Sequence, residues 1–193
     1  MLKATFQPGP LFKNAIDAIK DLCEEANFSC SESGISCTTM DSSHVALIKL
    51  TLPKEEFAEY ECGTARTFGV SVLSLAKLLK IVPSTATVQL IHIAGGDVVR
   101  INVFVGESLV QEFVVRLMDI DQEDFTIPEK LHAVQIKAPS VELKSIINSL
   151  KEVGENIRIV CSAETDEVVF SAEGDVGSAS HRQKYPMVFG EGV

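Results

Sequence analysis

A polar turn meets the start of an apolar run in Met40-Asp41-Ser42-Ser43-His44-Val45-Ala46-Leu47. Its polar part, Asp41 to Ser43, consists of residues whose short side chains bond nearby backbone and therefore favour turns. From His44 to Leu52 the sequence has the alternation of a strand, clearest at Ile48-Lys49-Leu50-Thr51-Leu52. The stretch predicts a tight corner, flanked by Met40 and Val45, that leads into a strand.

This corner has three interpretations. Asp41, Ser43 and His44 are residue types found in hydrolase sites, but a nucleophile and its base must meet at hydrogen-bond distance, which close neighbours on a turn rarely do. We therefore expect no catalytic residues and no enzyme. The corner is then either an ordinary polar turn or an exposed apolar corner that receives a partner.

The composition indicates a globular protein with an acidic surface. The 193 residues are 46% hydrophobic and 23% charged, and the formal net charge is -10. This charge argues against a generally basic nucleic-acid binder, so contact with DNA would need a local concentration of lysine. The sequence contains no run near the roughly 20 apolar residues of a membrane span, and its N-terminus lacks the pattern of a secretory signal. We expect an intracellular protein without membrane contact.

The cysteines and histidines do not have the spacing of a metal site. The five cysteines contain no close Cys-x-x-Cys pair, and the four histidines lie far from them. We expect reduced, mostly buried thiols, and neither a metal nor another cofactor.

Two segments have the apolar spacing of amphipathic helices, residues 11–23 and residues 72–82. Pro83 ends the second of them. By pattern alone, their polar sides are solvated helix faces. These polar sides include Lys13, Asn14, Lys20, Lys77 and Lys80.

Strand patterns surround the two helices. Residues 28–40 predict a hairpin, residues 53–61 a charged loop, and residues 67–71 a further strand. Three more strands are predicted between residues 88 and 117. This order predicts an α+β domain over residues 1–117, in which both helices cover one sheet face.

An acid-rich segment, residues 118–130, interrupts this periodicity and is interpreted as an exposed connector. It contains Ile120, Phe125 and Ile127, apolar residues that suggest a contact surface. After it the pattern begins again: Leu143, Ile147, Leu150 and Val153 repeat Phe12, Ile16, Ile19 and Leu22 at an offset of about 130. We expect residues 131–193 to be an incomplete second copy of the first domain.

These motifs resemble the proliferating cell nuclear antigen family, the eukaryotic DNA sliding clamps. The resemblance runs in register from Met1 to about Gly174. It rests on three segments: Met40 to Val45; Gly69-Val70 leading to Lys77-Leu78-Leu79-Lys80; and Leu117-Met118-Asp119-Ile120-Asp121 with Ile127-Pro128-Glu129.

The resemblance implies the DNA-clamp fold, with antiparallel sheets and two helices in each complete domain. It also implies that three subunits close into a homotrimeric ring around duplex DNA, in the nucleus. Such a ring is a processivity factor for replicative DNA polymerase and recruits replication and repair proteins. It is not an enzyme.

The resemblance also implies roles for individual residues. The residues that face DNA would be Lys13, Asn14, Lys20, Lys77 and Lys80. The pocket for clamp-binding peptides of partner proteins would include Met40, His44, Val45, Leu47, Phe125 and Ile127.

The family's second domain is longer than residues 131–193. The resemblance therefore implies a C-terminally truncated chain, whose second domain is loosely held and trimerises poorly. Two alternatives stay open: a subunit of a checkpoint clamp, and a peptide-binding scaffold that does not form a ring.

Overall fold

The computed structural model describes residues 1–121 and 132–190. The chain divides into two compact units, Met1–Thr126 and Ile127–Val193. Antiparallel strands and three α-helices make up most of the described residues, which confirms the predicted α+β class. In this described part, no helix is long and apolar enough to cross a membrane.

The first unit consists of two antiparallel sheets and two helices. Its elements are β1 (Leu2–Phe6), α1 (Pro10–Ile19), β2 (Glu25–Ser31), β3 (Gly34–Met40), β4 (Leu47–Pro53), β5 (Glu59–Cys62), β6 (Arg66–Ser71), α2 (Val72–Leu79), β7 (Thr87–His92), β8 (Val98–Val105) and β9 (Ser108–Arg116). The strand order is β5-β1-β7-β8-β9 in the first sheet and β4-β3-β2-β6 in the second.

One apolar core serves both sheets and both helices. Strand alternation sends Leu2, Ala4 and Phe6 of β1 into this core and leaves Lys3 and Thr5 less buried. Helix α1 contacts β1, whereas α2 contacts β2 and β6 of the other sheet. The prediction that both helices cover one sheet was therefore wrong. The strands form two hydrogen-bonded sheets whose apolar faces share one core, and each helix packs against a different sheet.

Both helices are shorter than predicted because the chain turns back immediately after each of them. After α1, the amides of Leu22 and Cys23 both donate to the Ile19 carbonyl at 3.0 Å. Cys23 is thereby buried, whereas Leu22 is 47% exposed. After α2, the Val82 amide donates to the Leu79 carbonyl at 3.1 Å, which keeps Val82 buried outside the helix.

Strand β4 begins at Leu47 and not at His44, so that part of the prediction was wrong. The Asp41 amide donates to the Ala46 carbonyl at 3.0 Å, and His44 has a φ of 55°, a left-handed conformation that no strand accommodates. Strand β1 was not predicted. Strand β5 overlaps the end of the predicted charged loop. Its two glutamates face outward, which gives it the composition of a loop, while its backbone pairs with β1.

The second unit repeats the opening of the first. Its elements are β10 (Val134–Ile136), α3 (Ser140–Leu150), β11 (Ile157–Ser162), β12 (Glu167–Gly174), β13 (Gly177–Lys184) and β14 (Met187–Phe189). The sheet β11-β12-β13 repeats β2-β3-β4, and β10 pairs with β14 as β1 pairs with β5. The duplication predicted from the sequence is confirmed.

The predicted apolar face of α3 is partly wrong. Ile147 is 39% exposed, and its neighbour Ile146 is buried instead, together with Leu150. With Leu143 these residues follow the i, i+3, i+7 spacing of a narrow helical stripe. The core of this unit is much smaller than that of the first; its buried residues are Ile146, Leu150, Val168, Phe170, Ala172 and Tyr185.

The structure confirms the prediction that most of the cysteines are buried. Cys23, Cys30, Cys37 and Cys62 are buried, and Cys161 is half-buried. Burial raises the pKa of the Cys30 and Cys37 thiols to about 12. These two thiols therefore stay protonated at neutral pH and contribute to packing and not to chemistry.

Truncating Phe6 tests the shared core. Its ring is fully buried, with ring centroids 4.7 Å from both Phe12 and Phe57. We expect Phe6→Ala to lower the free energy of unfolding of the first unit by about 3–5 kcal/mol. Urea denaturation of the purified protein measures this change. The control is Ile93→Ala, at a position that is 63% exposed, which should change stability by less than about 0.5 kcal/mol. Equal effects of the two substitutions would contradict the assignment of the core.

Candidate functional site

The polar sides of α1 and α2 meet at Lys13 and Lys80. The Nζ atom of Lys13 donates to the Lys80 backbone carbonyl at 3.2 Å, although the two residues are 67 positions apart. Lys80 is the C-terminal cap of α2, where unpaired carbonyls carry partial negative charge and favour a nearby cation. The packing of the two helices thus places lysines from both of them on one surface.

The other residues of the predicted DNA-facing set differ in their surroundings. Asn14, Lys77 and Lys80 are exposed. Lys20 is half-buried, and its Nζ atom lies 2.7 Å from Oδ1 of Asp17 on the same helix. The hydrogen bond to Asp17 raises the pKa of Lys20 above its usual value. Part of the positive charge of Lys20 is therefore already compensated within α1.

Two exposed lysines of the second unit were not singled out from the sequence. Lys144 lies on α3, and Lys151 caps its C-terminus. Their positions repeat those of Lys13 and Lys20, since 144 − 13 and 151 − 20 both equal 131. The constant offset that identified the duplication could have identified them. The same offset places Asn148 where α1 has Asp17, so no acid occupies that position in α3.

The Met40–Leu47 corner is organised by the carboxylate of Asp41. Its Oδ1 atom accepts hydrogen bonds from the amides of Val45 at 2.8 Å and Ala46 at 2.6 Å. Its Oδ2 atom accepts from the amide and the hydroxyl of Ser43. These bonds, first that of the Ser43 hydroxyl and next that of the Ala46 amide, lower the pKa of Asp41 to about 2. A charged Asp41 therefore fixes the corner.

This arrangement does not favour the hydrolase interpretation. The Ser43 hydroxyl donates to Asp41, which leaves Asp41 as the acceptor that orders the turn. His44 is exposed and has its backbone in the left-handed region. A nucleophile needs a base at hydrogen-bond distance, and Ser43 and His44 do not form such a pair in the described structure.

A cavity of about 370 Å³ opens next to this corner, on the outer face of the second sheet. Met40 and His44, two residues of the predicted peptide pocket, line it. Val45 is 84% exposed on the corner, and Leu47 is 38% exposed at the start of β4. Phe125 and Ile127 lie outside the described residues. The cavity is lined by Glu25, Ala26, Asn27, Ser29, Ser36, Thr38, Thr39, Met40, Asp41, Ser42, His44, Ile120 and Asp121.

The segment after β9 forms the far side of this cavity. The Leu117 amide donates to the Asp97 carbonyl at 2.8 Å, and the Met118 amide donates to the Gly69 carbonyl at 2.9 Å. Ile120 and Asp121 then reach the cavity. Asn27, whose side chain contacts this segment, was not predicted as a site residue. Asn27 lies one residue before the predicted hairpin, and the structure places it at an outward position of β2, so the pattern contained no signal for it.

Comparison with known proteins gives a consistent result over nearly the whole chain. A family model described as proliferating cell nuclear antigen, N-terminal domain, matches residues 1–125. A second model, the C-terminal domain of the same family, matches residues 126–187. A protein of Chaetomium thermophilum named proliferating cell nuclear antigen is 38% identical over 181 residues, which cover 93% of this chain and 69% of that protein.

The order of the corner should depend on pH in the direction set by Asp41. Because its pKa lies below the ordinary value of 3.8, the hydrogen bonds to Val45 and Ala46 should persist as the pH falls through 3.8 and weaken only toward about 2. NMR titration of the Asp41 carboxyl carbon and of the Ala46 amide measures the midpoint. The control variant Ser43→Ala removes the largest cause and should raise the midpoint. A wild-type midpoint near 3.8 would show that the carboxylate does not organise the corner.

Proposed function

The chain belongs to the proliferating cell nuclear antigen family, and from this premise we propose that it is a subunit of a ring-shaped DNA clamp. In this proposal the ring encircles duplex DNA in the nucleus and serves as a processivity factor for replicative DNA polymerase. It acts by topology and by recruitment, without catalysis. The observation that carries the proposal is the set of lysines that α1 and α2 present together on an otherwise acidic protein.

The helix lysines are suited to contact with the DNA backbone. Lysine binds phosphate without reading the base sequence, which a sliding protein requires. Helix α2 contains no acidic residue, so the charges of Lys77 and Lys80 are available. Asp17 offsets Lys20 on α1. We therefore propose that Lys77 and Lys80 contribute most and Lys20 least, with Lys13 and Asn14 between them.

In the second unit, Lys144 and Lys151 supply the corresponding charges. Both are exposed, and Asn148 leaves them without the acid that Asp17 provides on α1. We propose that these two lysines give the second unit a DNA-facing surface of its own.

The cavity beside Met40 is proposed as the docking site for short peptide segments of partner proteins. Met40 and Ile120 line the cavity, and Val45 and Leu47 are exposed on the adjoining corner; these side chains would offer apolar contacts that suit the anchors of one helical turn. Phe125 and Ile127 belong to the same proposal. Glu25 and Asp121 line the cavity, so basic residues next to the anchors would add electrostatic attraction.

Ring closure would use one strand edge from each of the two units. Within the described residues, β9 is an edge of the first sheet, and β13 is an edge of the β11-β12-β13 sheet. Leu109, Val110 and Val114 of β9 are about half exposed, as expected for a strand that pairs with another copy. We propose that β9 of one copy pairs with β13 of the next. Because the core of the second unit is small, we expect this association to be weak.

The described cavity is formed by residues of the first unit, so peptide binding does not require a closed ring. A peptide-binding scaffold that forms no ring is therefore the second candidate function. It predicts peptide binding by the monomer without stimulation of a polymerase.

Replacing the lysines of α2 tests the DNA-facing surface. The double variant Lys77→Ala/Lys80→Ala should bind duplex DNA more weakly. It should also reduce the slope of log affinity against log salt by roughly 0.9 for each phosphate that these lysines neutralise in the wild type. Fluorescence anisotropy of labelled duplex DNA over a salt series measures both effects.

Three single variants complete this experiment. Lys54→Ala removes an exposed lysine outside the α-helices and should leave the slope unchanged, and Lys20→Ala should have a smaller effect than Lys77→Ala. A slope that is the same in the double variant and in the wild type would mean that Lys77 and Lys80 face bulk solvent.

Ring formation has its own test. Chemical crosslinking and analytical ultracentrifugation over a concentration series should detect a trimer that dissociates on dilution. The same preparation should increase the product length of a replicative polymerase on primed DNA. A protein that remains monomeric at every concentration and does not stimulate the polymerase would rule out the ring. If it still bound peptide, the scaffold function would be supported.

A further inference from the structure

Asn27 of β2 makes the one side-chain hydrogen bond found between the second sheet and the described part of the segment after β9. Its Nδ2 atom donates to the backbone carbonyl of Ile120 at 3.1 Å, across 93 positions in sequence. Asn27 is half-buried and lines the same cavity as Met40 and His44. Asn27 therefore connects strand β2, which forms part of the cavity wall, to Ile120 on the far side of the cavity.

Gly69 makes the second contact with this segment. Gly69 lies opposite Asn27 in the β2–β6 ladder and forms an isolated antiparallel bridge with Met118. A Cβ atom on Gly69 would lie 2.6 Å from the Met118 carbonyl oxygen and 2.7 Å from Cδ1 of Ile120. Since real Cβ atoms do not come this close to backbone, a glycine is needed for Ile120 to rest on the sheet.

We propose that Asn27 and Gly69 together form a latch that fixes Met118–Ile120 against the second sheet, and that Asn27 is a positioning residue for the peptide docked in the cavity. The proposal rests on the proposed peptide-docking function. A strand gives Asn27 a defined orientation, whereas the segment it holds has only a single bridge of its own. The side-chain amide of Asn27 therefore fixes the position of Ile120 at the far side of the cavity. A peptide that binds there would not have to order this segment, which lowers the cost of binding.

The charges around Asn27 support a specific need for an amide. Glu25 precedes it on the same face of β2, and Asp121 follows the carbonyl that Asn27 holds. A carboxylate at position 27 would have no hydrogen to donate and would repel both neighbours. Asn27→Asp is therefore a variant of nearly identical shape that removes the bond and leaves the volume unchanged.

The test compares Asn27→Asp and Asn27→Ala with a matched control, Thr51→Ala, an exposed position on the outer face of the same sheet. The probe is a synthetic peptide with three apolar anchors in one helical turn followed by basic residues. Loss of one hydrogen bond predicts about fivefold weaker peptide binding by both Asn27 variants. It also predicts about fivefold faster amide hydrogen exchange at Met118. The Thr51 variant should match the wild type in both measurements.

A further variant, Gly69→Ala, should weaken peptide binding and speed exchange in the same way, and its melting temperature reports whether the fold survives. Unchanged exchange at Met118 and unchanged peptide affinity in Asn27→Asp would overturn the proposal. If the wild-type protein did not bind the peptide, the docking function would fail, while the exchange measurement would still decide whether the latch exists. Faster exchange without weaker peptide binding would overturn the positioning role of Asn27.

Discussion

One apolar core, shared by both sheets and both helices, fixes the elements of the first unit against one another. The Phe6 ring of β1 contacts both Phe12 of α1 and Phe57 of the loop before β5, so these elements cannot shift independently. Because the apolar side of α1 packs against the core, its polar side must face away from the core. The surface that carries Lys13 and Lys80 is therefore a consequence of core packing and needs no separate interaction to orient it.

Since the apolar face of the second sheet packs against the core, its outer face is polar and open. Hydrogen bonds made by a carboxylate and an amide side chain determine the structure at this outer face. Asp41 orders the corner at one end through hydrogen bonds to Val45 and Ala46, and Asn27 holds Ile120 at the other end. Both use a side chain to satisfy backbone groups that no strand pairs. The cavity between them is thus bounded by polar contacts, although its proposed ligands are apolar.

Features that show as a pattern in the sequence itself could be predicted, whereas features that depend on pairing between distant residues could not. Helix positions, the β2–β3 hairpin and the duplication follow from periodicity, which each segment carries in itself. Strand β5 was missed because its Glu59 and Glu61 give it the composition of a loop, and only pairing with β1 makes it a strand. Ile147 was predicted to be buried because the constant offset pairs it with the buried Ile16, but α3 buries its neighbour Ile146, which lies about 100° away around the helix. Asn27 could not be found at all, since its partner is 93 positions away.

The charge distribution shows how an acidic protein can still present a surface to a polyanion. The chain has 27 acidic and 17 basic residues, yet α2 contains no acid and α1 contains only Asp17. Charges farther apart than about 10 Å are largely screened at moderate salt, so phosphate near these helices would respond to the local lysines and not to the net charge. The acids elsewhere would then repel DNA from the other surfaces. An overall negative charge is therefore compatible with the proposed DNA contact at these helices.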